Sequence, residues 1–484
     1  MVDVILYSLL GIIGLFILLL LIAVIRALWM RVPPLPESLY VSDPQKEEAY
    51  GLGLQKLIRH QTIAGFSDAA EENFRAMQQT MESLFPLVHQ QLKKTVFPGG
   101  SMIFHWKGKN PGDPLVLMAH QDVVPADKAG WHYDPFEGTI ESGEIFGRGT
   151  FDTKSTLFAF FQATEDLLAT GFTPNNDVYL ASSSDEEISG TGAKKTVDWL
   201  KEQHIRPALV LDEGGAIVTG ALPTAKQAVA LIGILEKGYV NIQFTAKSDG
   251  GHSSTPPRHT PIARLAEFIH HVESRFPLKT KMIPEVADLF KTVAPSMAFL
   301  YRLLFGNMWL FKGLVTWLLP KINPYGRALF SSTIAFTMMK GSEAANVIPA
   351  EASVLANIRT HPIQGIESTH LVLSKIAKRY GISAQILEGR EATPMVSTKS
   401  DSYRYLVSII QKTFPDVLVS PYVVLGGTDA RFYTEISDSA LRFSPIRVHN
   451  RDLKKMHGID ESLRLDALAE AVIFYREIIG GFQS

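Results

Sequence analysis

From Val4 to Ile25 the chain reads VILYSLLGIIGLFILLLLIAVI, without a charged residue. As a helix rising about 1.5 Å per residue, this run extends about 33 Å, enough to cross a hydrocarbon core of about 30 Å. It is too long for the apolar region of a secretory leader, no Lys or Arg precedes it, and no A-x-A site follows. The expectation is an uncleaved, single-pass membrane anchor over 1–30, with Trp29 at the interface. Arg26 and Arg31 follow the span, so the positive-inside rule leans towards a cytoplasmic position for the rest of the chain. The Pro-rich segment RVPPLPESLYVSDP then predicts a semi-rigid linker over 31–44.

Beyond the linker the pattern changes period. Short apolar runs (PLVLMAH, DVYLASSS, ALVLDEGG) alternate with amphipathic stretches such as TKSTLFAFFQATEDLLAT and TGAKKTVDWLKEQH. Continuous apolar strands separated by helices indicate a mostly parallel sheet covered on both faces, an α/β core. From about 237 the texture becomes that of a half-solvated sheet. In GYVNIQFTAKS, Val240, Ile242, Phe244 and Ala246 fall on one face. Two more strands, near FSSTIAFTMM and ASVLANIRT, and the helices TPIARLAEFIHHVESRF and ESTHLVLSKIAKRY complete an inserted α+β unit. The expected organisation is therefore a first core part over 45–235, an insert over 236–389, and a second core part over 390–484.

The apolar stretch PSMAFLYRLLFGNMWLFKGLVTWLLP, residues 295–320, fits neither pattern. Arg302 and Lys312 lie inside it, which is costly for a second membrane span. Two packed or interfacial helices, breaking near Gly306 or Gly313, are expected instead.

Composition narrows the chemistry. At 484 residues, with 46% hydrophobic and 20% charged positions, the chain is long enough for two or three ordered domains. A formal net charge of -2 argues against nucleic acid as the main partner. The chain has no cysteine, which excludes disulfides and thiolate metal sites. Any metal must be held by His and carboxylate.

Such groups gather where the core strands end. PLVLMAH ends at His120 and runs on to Asp122; DVYLASSSDEE ends at Glu186 and Glu187; ALVLDEGG contains Asp212 and Glu213. Ligands of open parallel sheets bind at the carboxyl ends of strands. Acids converging there repel unless cations neutralise them, and His with carboxylate suits zinc, with manganese and cobalt as alternatives. In an extended H-x-D, His120 and Asp122 share one face, so the acid can orient the imidazole. GRGTFDTKS places Asp152 beside a helix start, where one carboxylate can bridge two ions. In the DEE triplet one acid can coordinate while its neighbour stays free as a base.

The ordered set MAHQDVVP, GRGTFDTK, SSDEEISG, LDEGG and MHGIDES closely resembles the M20 family of metallopeptidases and amidohydrolases, over about 45–480. Within it the chain is most similar to the branch of carboxypeptidase S and the peptidase M20 domain-containing proteins. The resemblance implies a zinc-peptidase-like catalytic domain with an inserted lid or dimerisation domain. It implies that His120, Asp152 and Asp212 hold one zinc and that Asp152, Glu187 and His457 hold the other. Glu186 is then the general base and Asp122 the acid behind His120. His252, in SDGGHSSTPP, corresponds to a lid histidine that stabilises the oxyanion, often from a partner subunit, so a homodimer through the insert is implied. Asn346, Arg359 and Arg431 (the last within LGGTDARFY, with Gly427 and Thr428) are further substrate-binding candidates. An Arg suits a substrate carboxylate because its guanidinium pairs bidentately, although a structural salt bridge is the other role open to each. The implied reaction is hydrolysis of an amide bond next to a free carboxylate. Its substrates are N-acyl amino acids, fatty acylated ones included, or peptide C-termini, as in a Gly-X-type carboxypeptidase or dipeptidase. A membrane-tethered binding module without catalysis is the competing class.

Overall fold

The computed structural model describes residues 2–32, 34–65 and 68–483. Its first element is one continuous helix, Val2–Trp29, whose apolar side chains are largely exposed. It is the one helix long and apolar enough by itself to cross a membrane among the described residues.

A ten-stranded mixed sheet forms the body. At its centre Asn110–Met118 lies parallel to both Asn176–Ser182 and Leu209–Asp212, and Ala440–Arg442 continues the parallel run beside Leu209–Asp212. These are the runs whose apolar residues lack alternation, and both of their faces are covered. The helices Pro44–Ile58, Lys154–Ala169 and Leu465–Gly481 pack on one face, where Phe160 and Tyr475 meet edge to face with centroids 5.7 Å apart. Gly53 permits a close approach of Pro44–Ile58 to Lys154–Ala169, because a Cβ there would lie 2.5 Å from the Phe158 ring. The helices Gly192–Glu202 and Ala430–Tyr433 cover the other face.

A separate four-stranded antiparallel sheet runs in the order Thr333–Lys340, Glu351–Thr360, Gly238–Lys247, Ile382–Arg390. Val240, Ile242, Phe244 and Ala246 are fully buried on one face beneath the helices Pro261–Arg275 and Ile366–Ala377, as their alternation predicts. The stretch around 295–320 forms two helices, Phe299–Gly306 and Met308–Ile322, bent by 104° at Asn307.

One small sheet positions chemistry. Ser462–Arg464 pairs antiparallel with Glu144–Phe146, with Ser462 opposite Phe146. This pairing carries the MHGIDES loop from near the chain's end to the GRGTFD loop.

Candidate active site

His120 lies just beyond the strand Asn110–Met118 and is buried. Its Nδ1 is 2.8 Å from the backbone carbonyl of Asp122, and a proton donated there leaves Nε2 as the free donor atom. Asp122, fully buried, binds the neighbouring loop from below. Its Oδ1 accepts the Glu186 N–H at 3.2 Å and its Oδ2 the Glu187 N–H at 3.0 Å. One carboxylate thus fixes both the H-x-D strand end and the acid triplet. The third acid, Asp185, turns the other way and accepts the N–H groups of Thr191 and Gly192 at the start of the helix Gly192–Glu202.

Asp152 stands between two histidines. Its Oδ1 is 3.0 Å from His120 Nε2, and its Oδ2 is 3.0 Å from His457 Nε2. Glu213 Oε1 lies 3.4 Å from His120 Nε2, and Glu187 Oε1 lies 3.1 Å from His457 Nε2. Two clusters result, His120–Asp152–Glu213 and Asp152–Glu187–His457, each with its donor atoms within 4.8 Å of one another. His457 reaches its position with a left-handed backbone, φ 57°. Asp152 is held by Glu461, whose Oε1 accepts the N–H groups of Gly149, Phe151 and Asp152 while Oε2 accepts from Arg148 at 2.6 Å.

The structure departs from the expected ligand set at Asp212. That residue ends its strand, and its Oδ2 accepts the Ala430 N–H at 2.7 Å. Glu213, the first residue past the strand, stands within ion-pair distance of the imidazole, and among the described residues Asp212 does not. Glu213 stands beside Asp212 in LDEGG, where sequence does not distinguish the two acids, and Glu461 belongs to the HGIDE segment, where its role behind Asp152 has no local signal.

The electrostatics favour cations here. Burial pushes the Glu213 carboxyl up to about 8, with Asp152 adding to the rise. Burial likewise raises Glu186 well above the usual carboxylate range, opposed by His120 and reinforced by Asp429, Glu213 and Asp152. Burial would raise Asp152 too, but its bonds to His120 and His457 hold it far below that range. The bond to Asp152, then that to Glu187, lifts His457 to about 10. The clusters therefore draw positive charge to two places, and imidazole nitrogens with carboxylate oxygens are donors that suit divalent metals. The residues fit a metal pair sharing Asp152.

Of the arginines, Arg359 lines a cavity of about 770 Å³ together with Asp152, Glu186, Glu187 and Glu213. It stacks near the Tyr239 ring, 5.7 Å from the centroid. No carboxylate lies within ion-pair distance of it among the described residues. Arg431 is buried behind the acids: its Nη1 donates to the Thr428 carbonyl at 2.9 Å and lies 3.7 Å from Glu186 Oε1. Thr428 bonds the buried Glu236, and Gly427 lines the cavity. His252 and Asn346 are not brought to the acids. They meet instead on a two-stranded patch, where His252 pairs with Val347 and the Ser253 N–H donates to the Asn346 carbonyl. His252 Nδ1 accepts the Ser254 N–H at 3.2 Å, which leaves its exposed Nε2 to carry the proton.

Paired His–carboxylate clusters around one shared aspartate, at the strand ends of an α/β sheet, are the layout of a metal-dependent hydrolase. The model of the peptidase family M20/M25/M40 matches residues 116–480, and the chain belongs to that family. It is 35% identical over 424 residues to "Probable carboxypeptidase S-like 2" of Dictyostelium discoideum, covering 85% of this chain and 80% of that one. It is 33% identical over 383 residues to human "N-fatty-acyl-amino acid synthase/hydrolase PM20D1", covering 78% and 76%. Among solved structures, the M20 family metallo-carboxypeptidase Sso-CP2 from Sulfolobus solfataricus superposes with a TM-score of 0.63 at 18% identity, over 89% of this chain and 98% of that one, a likeness of fold.

Proposed function

We propose that the chain hydrolyses N-acyl amino acids, fatty-acylated ones among them, at the amide bond next to the free carboxylate. The observation that carries this reading is the shared cavity. Its lining includes Glu186, the cluster residues Asp152, Glu187, Glu213 and His457, the guanidinium of Arg359, and the apolar side chains Leu231, Tyr422 and Leu425. An unpaired guanidinium beside a hydrolytic centre suits a substrate carboxylate, and the apolar wall suits an acyl chain.

We assign His120, Asp152 and Glu213 to one zinc and Asp152, Glu187 and His457 to the other, with manganese or cobalt able to use the same donors. When bound, such a pair lowers the pKa of water and polarises the scissile carbonyl. Glu186 binds neither cluster, and its carboxylate takes the proton of the attacking water and delivers it to the leaving amine. Arg431 and Asp122 hold that carboxylate in place, one through the ion pair and the other through the Glu186 N–H. Arg359 anchors the substrate carboxylate. The antiparallel unit built on 238–390 serves as lid and dimerisation element, and His252 Nε2 donates to the oxyanion from a partner copy. The helix Val2–Trp29 remains as a membrane anchor, with Arg26 and Arg31 favouring a cytoplasmic body.

The test is to purify the full chain in detergent, measure metal per chain, and compare N-acyl amino acids of graded chain length with Gly-Leu-type dipeptides. Turnover rising with acyl length supports the proposal. Dipeptides as the better substrates would make it a peptidase. Full metal content with neither activity would leave the tethered binding module.

A further inference from the structure

The helices Phe299–Gly306 and Met308–Ile322 leave large apolar side chains in solvent: Leu300, Trp309, Leu314, Trp317, Leu318 and Ile322 are all exposed. The inward side is apolar as well, with Phe305, Met308 and Val315 buried in a common cluster. A helix apolar on both sides is at home in a protein core or in lipid, and a clustered apolar surface of this kind marks an interaction site.

We propose that this bent helix pair is a membrane foot, seated in the lipid interface of the bilayer that the N-terminal helix crosses. The proposal rests on that helix being retained as an anchor. Contacts between the two elements fix the depth. Asn307, fully buried at the bend, donates from Nδ2 to the carbonyl of Ala23 at 3.1 Å. Ala23 lies inside the charge-free run that ends at Ile25. About two turns further along the first helix, Arg302 donates to the Met30 carbonyl at 3.1 Å, and Gly306 lies so close to Met30 that a Cβ would fall 2.6 Å from its methyl carbon. A bilayer that receives the anchor must therefore also meet the bend.

The side-chain chemistry matches an interface. Between Phe299 and Phe330 the charged residues are Arg302, Lys312, Lys321 and Arg327, with no acid. Lys321 Nζ lies 3.9 Å from the centre of the Trp317 ring. Tryptophan with basic residues is the composition of headgroup-level segments, and the absence of acids suits anionic lipid. The foot is also continuous with the body, because the cavity-wall residues Leu231, Tyr422 and Leu425 pack against the same apolar cluster.

The chain has no native cysteine, so single cysteines can carry a fluorescent label at Leu318 or Leu314 in the foot, Leu15 in the anchor, and Leu371 on the exposed helix Ile366–Ala377. Each full-length variant, checked for unchanged amide hydrolysis, is reconstituted into phosphatidylcholine–phosphatidylglycerol vesicles with plain or brominated acyl chains. The foot labels are expected to lose most of their emission to brominated lipid and little to aqueous iodide, as the Leu15 label does; the Leu371 label does the reverse. Foot labels quenched by iodide like Leu371 would overturn the proposal. Labels shielded from both quenchers would also overturn it, by showing a second copy or another protein over the surface. If the Leu15 label escapes brominated lipid too, the anchor reading fails and the foot with it.

Discussion

Asp152 and His457 meet at 3.0 Å, from Oδ2 to Nε2, although one lies just before the helix Lys154–Ala169 in the first half of the chain and the other lies in a loop near its end. Since Asp152 Oδ1 is also 3.0 Å from His120, this carboxylate is the only group common to both clusters among the described residues. Asp152→Ala should therefore strip metal far more than Asp185→Ala. Asp185 bonds only backbone N–H groups at a helix start, and its loss should cost stability, about 1 kcal/mol, and little metal. Metal per chain and thermal unfolding of the two variants check this. Equal metal loss would refute the shared-carboxylate arrangement.

The neighbouring acids Asp212 and Glu213 provide a sharper comparison. Glu213→Ala should lower metal occupancy, because Glu213 faces His120. Asp212→Ala should retain metal but destabilise the fold by about 1–3 kcal/mol, by leaving the Ala430 N–H without its acceptor. Metal titration beside denaturant unfolding separates these outcomes, and the opposite pattern would restore Asp212 as the ligand.

Glu186→Gln should keep both metals and reduce turnover by about 10²–10⁴-fold, the usual contribution of a positioned general base. Near-normal turnover at full metal content would remove Glu186 from proton transfer.

His252→Ala should leave metal content intact and lower turnover by about 10²–10³-fold, as removal of one oxyanion donor does. If the histidine acts across a dimer, mixing exchanging dimers of His252→Ala and Glu186→Gln should restore activity. Each mixed dimer then holds one site with an intact base and a donated histidine. A mixture as inactive as its parents would exclude the cross-subunit role.

Away from the site, burial, aided by Lys237, lowers the pKa of His361 from its ordinary 6.5 to about 4. Between those values the unfolded chain binds a proton that the folded chain does not. Its contribution is thus intact above pH 6.5 and is lost as pH falls towards about 4, by an amount on the order of 3 kcal/mol. Denaturant unfolding across that range should show a shallower pH dependence in His361→Asn than in the parent chain.

The elements themselves were legible in the chain, because period and burial are local properties. Unbroken apolar runs gave parallel strands covered on both faces, and the alternation from Val240 to Ala246 gave a sheet with one face buried. Two helices breaking near Gly306 or Gly313 were expected, and the break falls at Asn307, beside the first of these glycines. The ordered acid and histidine motifs likewise pointed to a metal-dependent amide hydrolase. What the motifs could not decide was direction. Asp212 and Glu213 are adjacent and chemically alike, and which one faces His120 depends on how their strand sits between Asn110–Met118 and Ala440–Arg442. Arg359 and Arg431 read alike in sequence, yet folding leaves one lining the cavity and buries the other against the carbonyl of Thr428. The bond from Asn307 to Ala23 joins segments with no shared pattern at all. Local sequence sets which elements form and which residues they carry, whereas the aim of a side chain follows from register and packing between distant segments, which only the folded chain brings together.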